Sequence, residues 1–452
     1  MANQGGILDR IDSVYFLLIP GWENELRANR WHFAVRWAGR KPVVLVNPVL
    51  RGGPAGSALE TRIPNCRILN TQLVSEPNRL AKAQIQAGQV LEDMARQHFS
   101  RPLLWCYDPD LAELYAHLPG IARVHHATEA FFDMPGRSST LHRRLHAVVA
   151  MSDLTVAVSE GVASGLRRRI EGADVVTVTN GCDYKHYSSG KPDTELVAAG
   201  RAYRRIAIYG GNVNGRLDFE LMKRLATTNP ETLFAYYGPV KELTAPDTWA
   251  WGAVKGLKNV IAPGSVDPDR LRDLYMASDV GFIPYRQDPW LVENGLPLKA
   301  LEMCATGLPV VSTLMKPLLG MTEGLVVTSN DDDFMAAFAA SSRVRMAESV
   351  AANMKAVSSA NDYDHKFDDV LAALDSRVSR SQPVTRIDRL SEVLGQDWID
   401  AEIRYARWLA MPASMRSLGR VAGSLAMLLP TGVRRRLGAS RLRAAVRQLL
   451  GS

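Results

Sequence analysis

The chain has 452 residues, 46% of them apolar and 22% charged, ordinary globular figures that leave room for two domains of about 150 to 200 residues and an appendage. Its four cysteines, Cys66, Cys106, Cys182 and Cys304, lie far apart with no Cys-x-x-Cys pair, so the pattern excludes a disulfide framework or zinc site and fits a reducing cytoplasm. The net charge of +7 is localised: residues 403–452 hold ten arginines and no Asp, Glu or Lys, which leaves −3 on the first 402 residues and argues against a nucleic-acid-binding core.

From the N-terminus, the apolar run beginning at Val14 is too short for a signal core or a membrane span and reads as a first strand, Val14–Ile19. Further short apolar runs follow at Val43–Val46, Arg67–Leu69, Leu103–Tyr107, Arg123–His125, Leu154–Val158 and Val175–Val178. Helical patterns at Glu23–Ala38, Arg79–His98, Thr140–Ala150 and Glu160–Arg169 fall between them. Strands that do not alternate, separated by helices, predict a parallel sheet covered on both faces. A polar stretch, Lys185 to Ala202, marks a join, after which the pattern restarts. Strands are expected at Ile206–Tyr209, Leu233–Tyr237, Val260–Ala262, Val280–Pro284, Val310–Ser312 and Leu325–Val327. The accompanying helices are Asp218–Ala226, Pro268–Met276, Leu298–Ala305 and Asp331–Ala340. The reading is α/β, with doubly wound domains at 1–190 and 191–375 facing a cleft, and a helical basic tail at 376–452. Ile387–Leu409 reads as helical, and beyond it the apolar stripe Met415, Leu418, Ala422, Leu425 and Leu429, flanked by arginines and free of acids, points to an anionic membrane surface.

The segment from Asn294 to Thr313 carries the chemistry. Pro297 suits the first position of a short helix and Gly307 its left-handed exit. Leu298, Leu301 and Ala305 form a core stripe, while Lys299 and Glu302, three apart, share another face beside the opening amides of Gly295 to Leu298. Such amides attract phosphate, a lysine neutralises it, and a carboxylate one turn on can accept hydrogen bonds from a ribose diol. A surface Lys-Glu pair on an ordinary amphipathic helix is the plain alternative.

These residues come in a larger order: Pro20-Gly21-Trp22 before an Arg30-bearing helix, Val158-Ser159-Glu160-Gly161, Asn180-Gly181-Cys182-Asp183, Tyr209-Gly210-Gly211, Tyr237-Gly238-Pro239, Ser278-Asp279-Val280 leading to Ile283-Pro284-Tyr285, and Pro297-x-Lys299-x-x-Glu302. From about Val14 to Ala373 the chain resembles the GT-B glycosyltransferases, especially the bacterial family 1/4 group of surface-polysaccharide and glycolipid synthesis. The resemblance implies that the second domain binds a nucleotide sugar and the first an acceptor. Glu302 would then hold the ribose, and Lys299 with the amides of Gly295 and Leu296 would face the diphosphate, with Pro297 beside them in the same donor-binding segment. It also places Gly210 and Gly211 in a glycine loop, Arg216 as a diphosphate cation, and Tyr237, Gly238 and Gly264 beside base and ribose. On the acceptor side it places Trp22 and Arg30, and among His125, Glu129, His126 and Asp133 it offers Glu129 first as a base.

Two departures from the family pattern stand out: Asn294 occupies the place of a first glutamate, with Glu293 one residue early, and Met222 stands where a second cation is usual. Asp108-Pro-Asp110 and Asp267-Pro-Asp269 read as helix caps rather than metal ligands, and no metal or other cofactor is expected. The expected partners are a nucleotide-sugar donor, a lipid-linked or saccharide acceptor and, through 403–452, the inner face of the plasma membrane; no nucleic acid is expected. A nucleotide-sugar epimerase and a non-catalytic nucleotide-sugar-binding protein are the rival readings.

Overall fold

A computed structural model describes residues 6–18, 22, 27–49, 58–72, 79–396 and 399–400. The tail at 403–452, on which the membrane expectation rests, lies outside the described residues, as do Pro20, Gly21 and the first residues of the expected helix Glu23–Ala38.

The first sheet consists of β1 (Ser13–Leu17), β2 (Val43–Val49), β3 (Ala58–Glu60), β4 (Cys66–Gln72), β5 (Pro102–Cys106), β6 (Ala122–Ala127), β7 (Leu154–Ala157) and β8 (Val175–Thr177), in the order β3-β4-β2-β1-β5-β6-β7-β8. All pairings are parallel except that of β3, an antiparallel edge strand. Successive residues of β1 serve opposite layers. Val14 and Phe16 pack with the helices Asn29–Ala38 and Tyr363–Arg377, while Tyr15 and Leu17 pack with Arg79–Arg96 and Ser139–Met151. Burial on both faces is why these strands read as continuous apolar runs.

The second sheet consists of β9 (Arg205–Gly210), β10 (Thr232–Tyr237), β11 (Val260–Gly264), β12 (Val280–Ile283), β13 (Val310–Thr313) and β14 (Leu325–Thr328), all parallel, in the order β11-β10-β9-β12-β13-β14. Each sheet reverses its strand order beside its first strand, and both present the carboxyl ends of their strands to one cleft, where open parallel sheets bind ligands.

The expected strands are all present within a residue or three at either end, and β3 is an addition. The expected join at Lys185 to Ala202 contains two short helices, Tyr184–Ser188 and Thr194–Gly200. The helix Tyr363–Arg377, which the sequence assigns to the second half, returns to the first: Tyr363, Phe367, Val370 and Leu374 are buried against Phe33 and Trp37. Of the expected helix Ile387–Leu409, Ile387–Leu394 is present and ends at Gly395 with φ +79°, while residues 397–398 and 401–409 lie outside the described residues.

Candidate active site in the interdomain cleft

The cleft is a cavity of about 630 Å³ walled by the loops after β1, β5 and β6 on one side and after β9, β10 and β11 on the other. Its floor is the helix Leu298–Ala305. Ala300, Leu301, Met303, Cys304 and Ala305 anchor that helix in the second core and leave Lys299 and Glu302 on the cleft face. Pro297 stands at the N-cap, one place before the position expected, where its carbonyl accepts from the Ala300 amide at 3.1 Å. Gly307 ends the helix at φ +68°, and its amide and that of Leu308 satisfy the carbonyls of Cys304 and Met303.

Lys299 is held from two sides. Its Nζ donates to the hydroxyls of Tyr209 and Tyr285, each at 2.9 Å, and lies 4.2 Å from the Tyr209 ring centre. Gly211, at φ +135°, lies so close that a β-carbon there would stand 2.6 Å from the lysine nitrogen. Glu302 is buried beside Tyr187, whose hydroxyl donates to it; burial raises its pKa to about 7, with Lys299 and that hydrogen bond acting in the opposite sense.

Most of the expected donor residues meet at this wall. Gly210, Gly211, Arg216, Tyr237, Gly238, Leu296 and Pro297 line the cavity, while Gly264 stands just behind, its carbonyl accepting from the Gly238 amide at 2.8 Å. The Gly210–Gly211 loop approaches Gly238 so closely that a β-carbon on Gly238 would lie 2.1 Å from the Gly211 carbonyl oxygen. One expectation is corrected. Gly295 lines the cavity, but its amide closes the preceding helix on the Leu291 carbonyl at 2.8 Å and is not presented to a phosphate. The helix Pro289–Asn294 also separates the two candidate sugar contacts. Asn294 faces the cleft, whereas Glu293 turns to the far side and pairs with Lys316 at 2.6 Å.

Arg216 reaches across the cleft to Glu129 of the first domain, Nη2 to Oε1 2.8 Å, and lies over the Trp290 ring. Burial lowers the pKa of its guanidinium, but Glu129 outweighs this and holds it above its usual value.

Of the other first-domain candidates, the structure does not bring His126 or Asp133 to the cleft. His126 is fully buried between Phe33 and Tyr107, its pKa lowered to about 3 by burial, and Asp133 pairs with Arg169 at 2.6 Å. His125 is likewise buried and neutral, its ring bonded to the Cys106 carbonyl. Arg30 lines the cavity and rests over Trp22, which is itself buried in the core behind it. Asp108 and Asp267 cap the amides of Asp110 and Asp269 as expected, although Asp108 also borders the cavity. Among the described residues no group of three His, Cys, Asp or Glu side chains could hold a metal ion.

Four further residues take part to which the sequence assigned no role: Asn29, Asn180, Arg27 and Tyr285. Asn29 donates to Asn180 at 2.9 Å and accepts from Tyr107 at 3.2 Å, and Asn180 donates to the Leu296 carbonyl at 3.0 Å, so a chain of buried amides fixes the loop before the lysine helix to the first domain. Arg27 crosses to Asp269 at 3.2 Å, and Tyr285 is the second tyrosine on Lys299. Asn180 was legible as part of a motif, but its partners come from distant segments that no local spacing reveals.

Two doubly wound domains closing on a cleft at their carboxyl ends make up the GT-B fold. Residues 219–342, within the second domain, match the family model described as glycosyl transferases group 1. The chain is similar to the Bacillus subtilis (strain 168) protein named "Putative teichuronic acid biosynthesis glycosyltransferase TuaH", with 34% identity over 141 residues. That match covers 31% of this chain and spans about a third, 34%, of the relative's length. Among solved structures it resembles sucrose-phosphate synthase from Thermosynechococcus elongatus at TM-score 0.63 and 14% identity, over 80% of this chain and 98% of that one. It also resembles Anabaena Alr3699/HepE in complex with UDP and glucose at TM-score 0.59 and 13% identity, over 80% and 99%. At these identities the likeness establishes the fold.

Proposed function

We propose that the protein transfers a sugar from a nucleotide diphosphate donor to a lipid-linked or saccharide acceptor. The observation that carries this reading is the meeting of Lys299, Glu302, Arg216 and the Gly210–Gly211 loop on one wall of the interdomain cleft. In this role the carboxylate of Glu302 accepts from the ribose hydroxyls, and Lys299 and Arg216 meet the diphosphate. Asn294 stands at the sugar end, with a side-chain oxygen in place of the carboxylate usual there. Glu129, already at the cleft, serves the acceptor side, where a base must come within hydrogen-bond reach of the attacking hydroxyl. Closure of the two domains keeps water from the donor, and the cations carry the charge of the departing diphosphate without a metal.

UDP-glucose stands as the first donor to try, and UDP as the first product ligand, because UDP occupies the Anabaena structure named above and UDP-glucose another of the same protein. The name of the Bacillus relative points to a polysaccharide acceptor. The test is a thermal-shift titration against a nucleotide-sugar panel. The wild type is expected to gain stability with at least one donor, as a ligand of the folded state must produce. Lys299→Ala and Glu302→Ala are expected to fold and lose that gain; an unchanged gain in both variants would sink the reading.

A further inference from the structure

The Lys299 ammonium has three N–H donors, two of which are committed to tyrosine hydroxyls. Those tyrosines are not equivalent. Tyr209 lies behind the wall, almost fully buried at 1% exposure, and spends its own proton on the Asn212 carbonyl at 2.9 Å. Tyr285 forms part of the wall itself. Its backbone is clamped by Thr313, whose hydroxyl accepts from the Tyr285 amide at 3.0 Å and donates to its carbonyl at 2.8 Å. The same segment is joined to the Arg216 loop, since Arg286 donates its amide to the Arg216 carbonyl at 2.8 Å and Leu217 bridges Tyr285. One rigid unit therefore carries the guanidinium, the phenol and, through the phenol, the ammonium.

We propose that Tyr285 is a third diphosphate-binding side chain of this site, its hydroxyl hydrogen-bonding the diphosphate between Lys299 and Arg216. The inference rests on the nucleotide-sugar reading and assigns to that reading a residue outside the lysine-glutamate motif. The phenol accepts one N–H from Lys299 and so has its own proton to give to a phosphate oxygen. Although burial raises the pKa of its hydroxyl, the Lys299 ammonium and the Arg216 guanidinium outweigh it and bring the phenol below its usual value, while its partner Tyr209 is pushed far above. A more acidic phenol is a stronger donor to an anion. As the bond from the anomeric carbon to the phosphate oxygen breaks, its electron pair stays on that oxygen, and the hydrogen bond from Tyr285 strengthens with the growing charge while the proton remains on the phenol.

The experiment is calorimetric titration of UDP, GDP, ADP and dTDP and the matching monophosphates into wild type, Tyr285→Phe and Tyr209→Phe, with unfolding midpoints recorded for all three. Tyr285→Phe keeps the ring and removes the hydroxyl. It is expected to weaken the preferred nucleoside diphosphate by about 10-fold or more, as loss of a hydrogen bond to a charged group does, and the monophosphate less than about 3-fold. Tyr209→Phe takes the same kind of partner from Lys299 without touching the cleft, and is expected to cost the diphosphate less than about 3-fold. Equal losses in the two variants would reduce Tyr285 to a prop for Lys299 and overturn the proposal, as would equal losses of diphosphate and monophosphate in Tyr285→Phe. A wild type that binds none of the diphosphates overturns the nucleotide-sugar reading, and this inference with it.

Discussion

Glu302 shows how one residue can couple ligand binding to pH. Burial sets its carboxyl at about 7 in the folded protein against an ordinary 4.5, so the folded state holds the proton more tightly than the unfolded state across that window. Stability contributed by the protonated form is therefore complete below about 4.5 and is lost as pH rises towards 7, by about 3 kcal/mol in all, from the interval between those two values. Urea unfolding at pH 5 and pH 8 is expected to show that loss in the wild type and not in Glu302→Gln. A ribose diol donating to the ionised carboxylate offsets the cost of the buried charge, so donor affinity is expected to change in the opposite direction, rising between pH 6 and pH 8. A donor affinity that falls over that range would contradict the assigned role of Glu302.

Among the elements, the close approach of two loops makes the strongest demand on sequence. Gly211 and Gly238 have φ of +135° and +148°, and a β-carbon on either would collide with a neighbour, Lys299 Nζ for the first and the Gly211 carbonyl for the second. The obstacles differ in kind: the first is the end of a flexible side chain, the second is backbone. Gly211→Ala is thus expected to displace Lys299, cutting nucleoside diphosphate affinity by about 10-fold, with a modest loss of stability from backbone strain alone. Gly238→Ala is expected to destabilise the fold by about 1 to 3 kcal/mol. Chemical denaturation and calorimetry on the two variants separate these effects. The strands were legible because burial on both faces leaves continuous apolar runs, and the lysine helix because Pro297 and Gly307 bound it. β3 was not, since Ala58–Glu60 is a three-residue edge strand with no run to show. The sequence also kept Glu293 and Asn294 as neighbours with similar claims; only the helix beneath them places one in the cleft and the other against Lys316.

In the molecule as a whole, the domains touch through contacts of unequal strength. Arg216–Glu129 is about one-third exposed on both sides and Arg27–Asp269 more so on its acid, so each contributes roughly 1 kcal/mol or less and can yield to an entering substrate. The Asn29–Asn180–Leu296 chain is buried and ties the floor of the cleft to the first domain. No described helix is long and apolar enough to cross a membrane, and the membrane expectation rests on the arginine-rich residues 403–452. Flotation with anionic vesicles is expected for the full chain and not for a chain ending at residue 400; equal flotation would remove the tail from the argument.

The polypeptide passes between its halves twice, at Cys182 and again at Asp362, where the two passages bond to each other through Cys182 and its neighbours Asn361 and Tyr363. Because the helix Tyr363–Arg377 completes the core begun at Val14, the first half to leave the ribosome cannot be the first to mature. The intervening stretch, contiguous in sequence, can reach its native state while the earlier residues still await their last layer. The order of folding during translation would then run outward from the middle of the gene product, with the N-terminal sheet closing last.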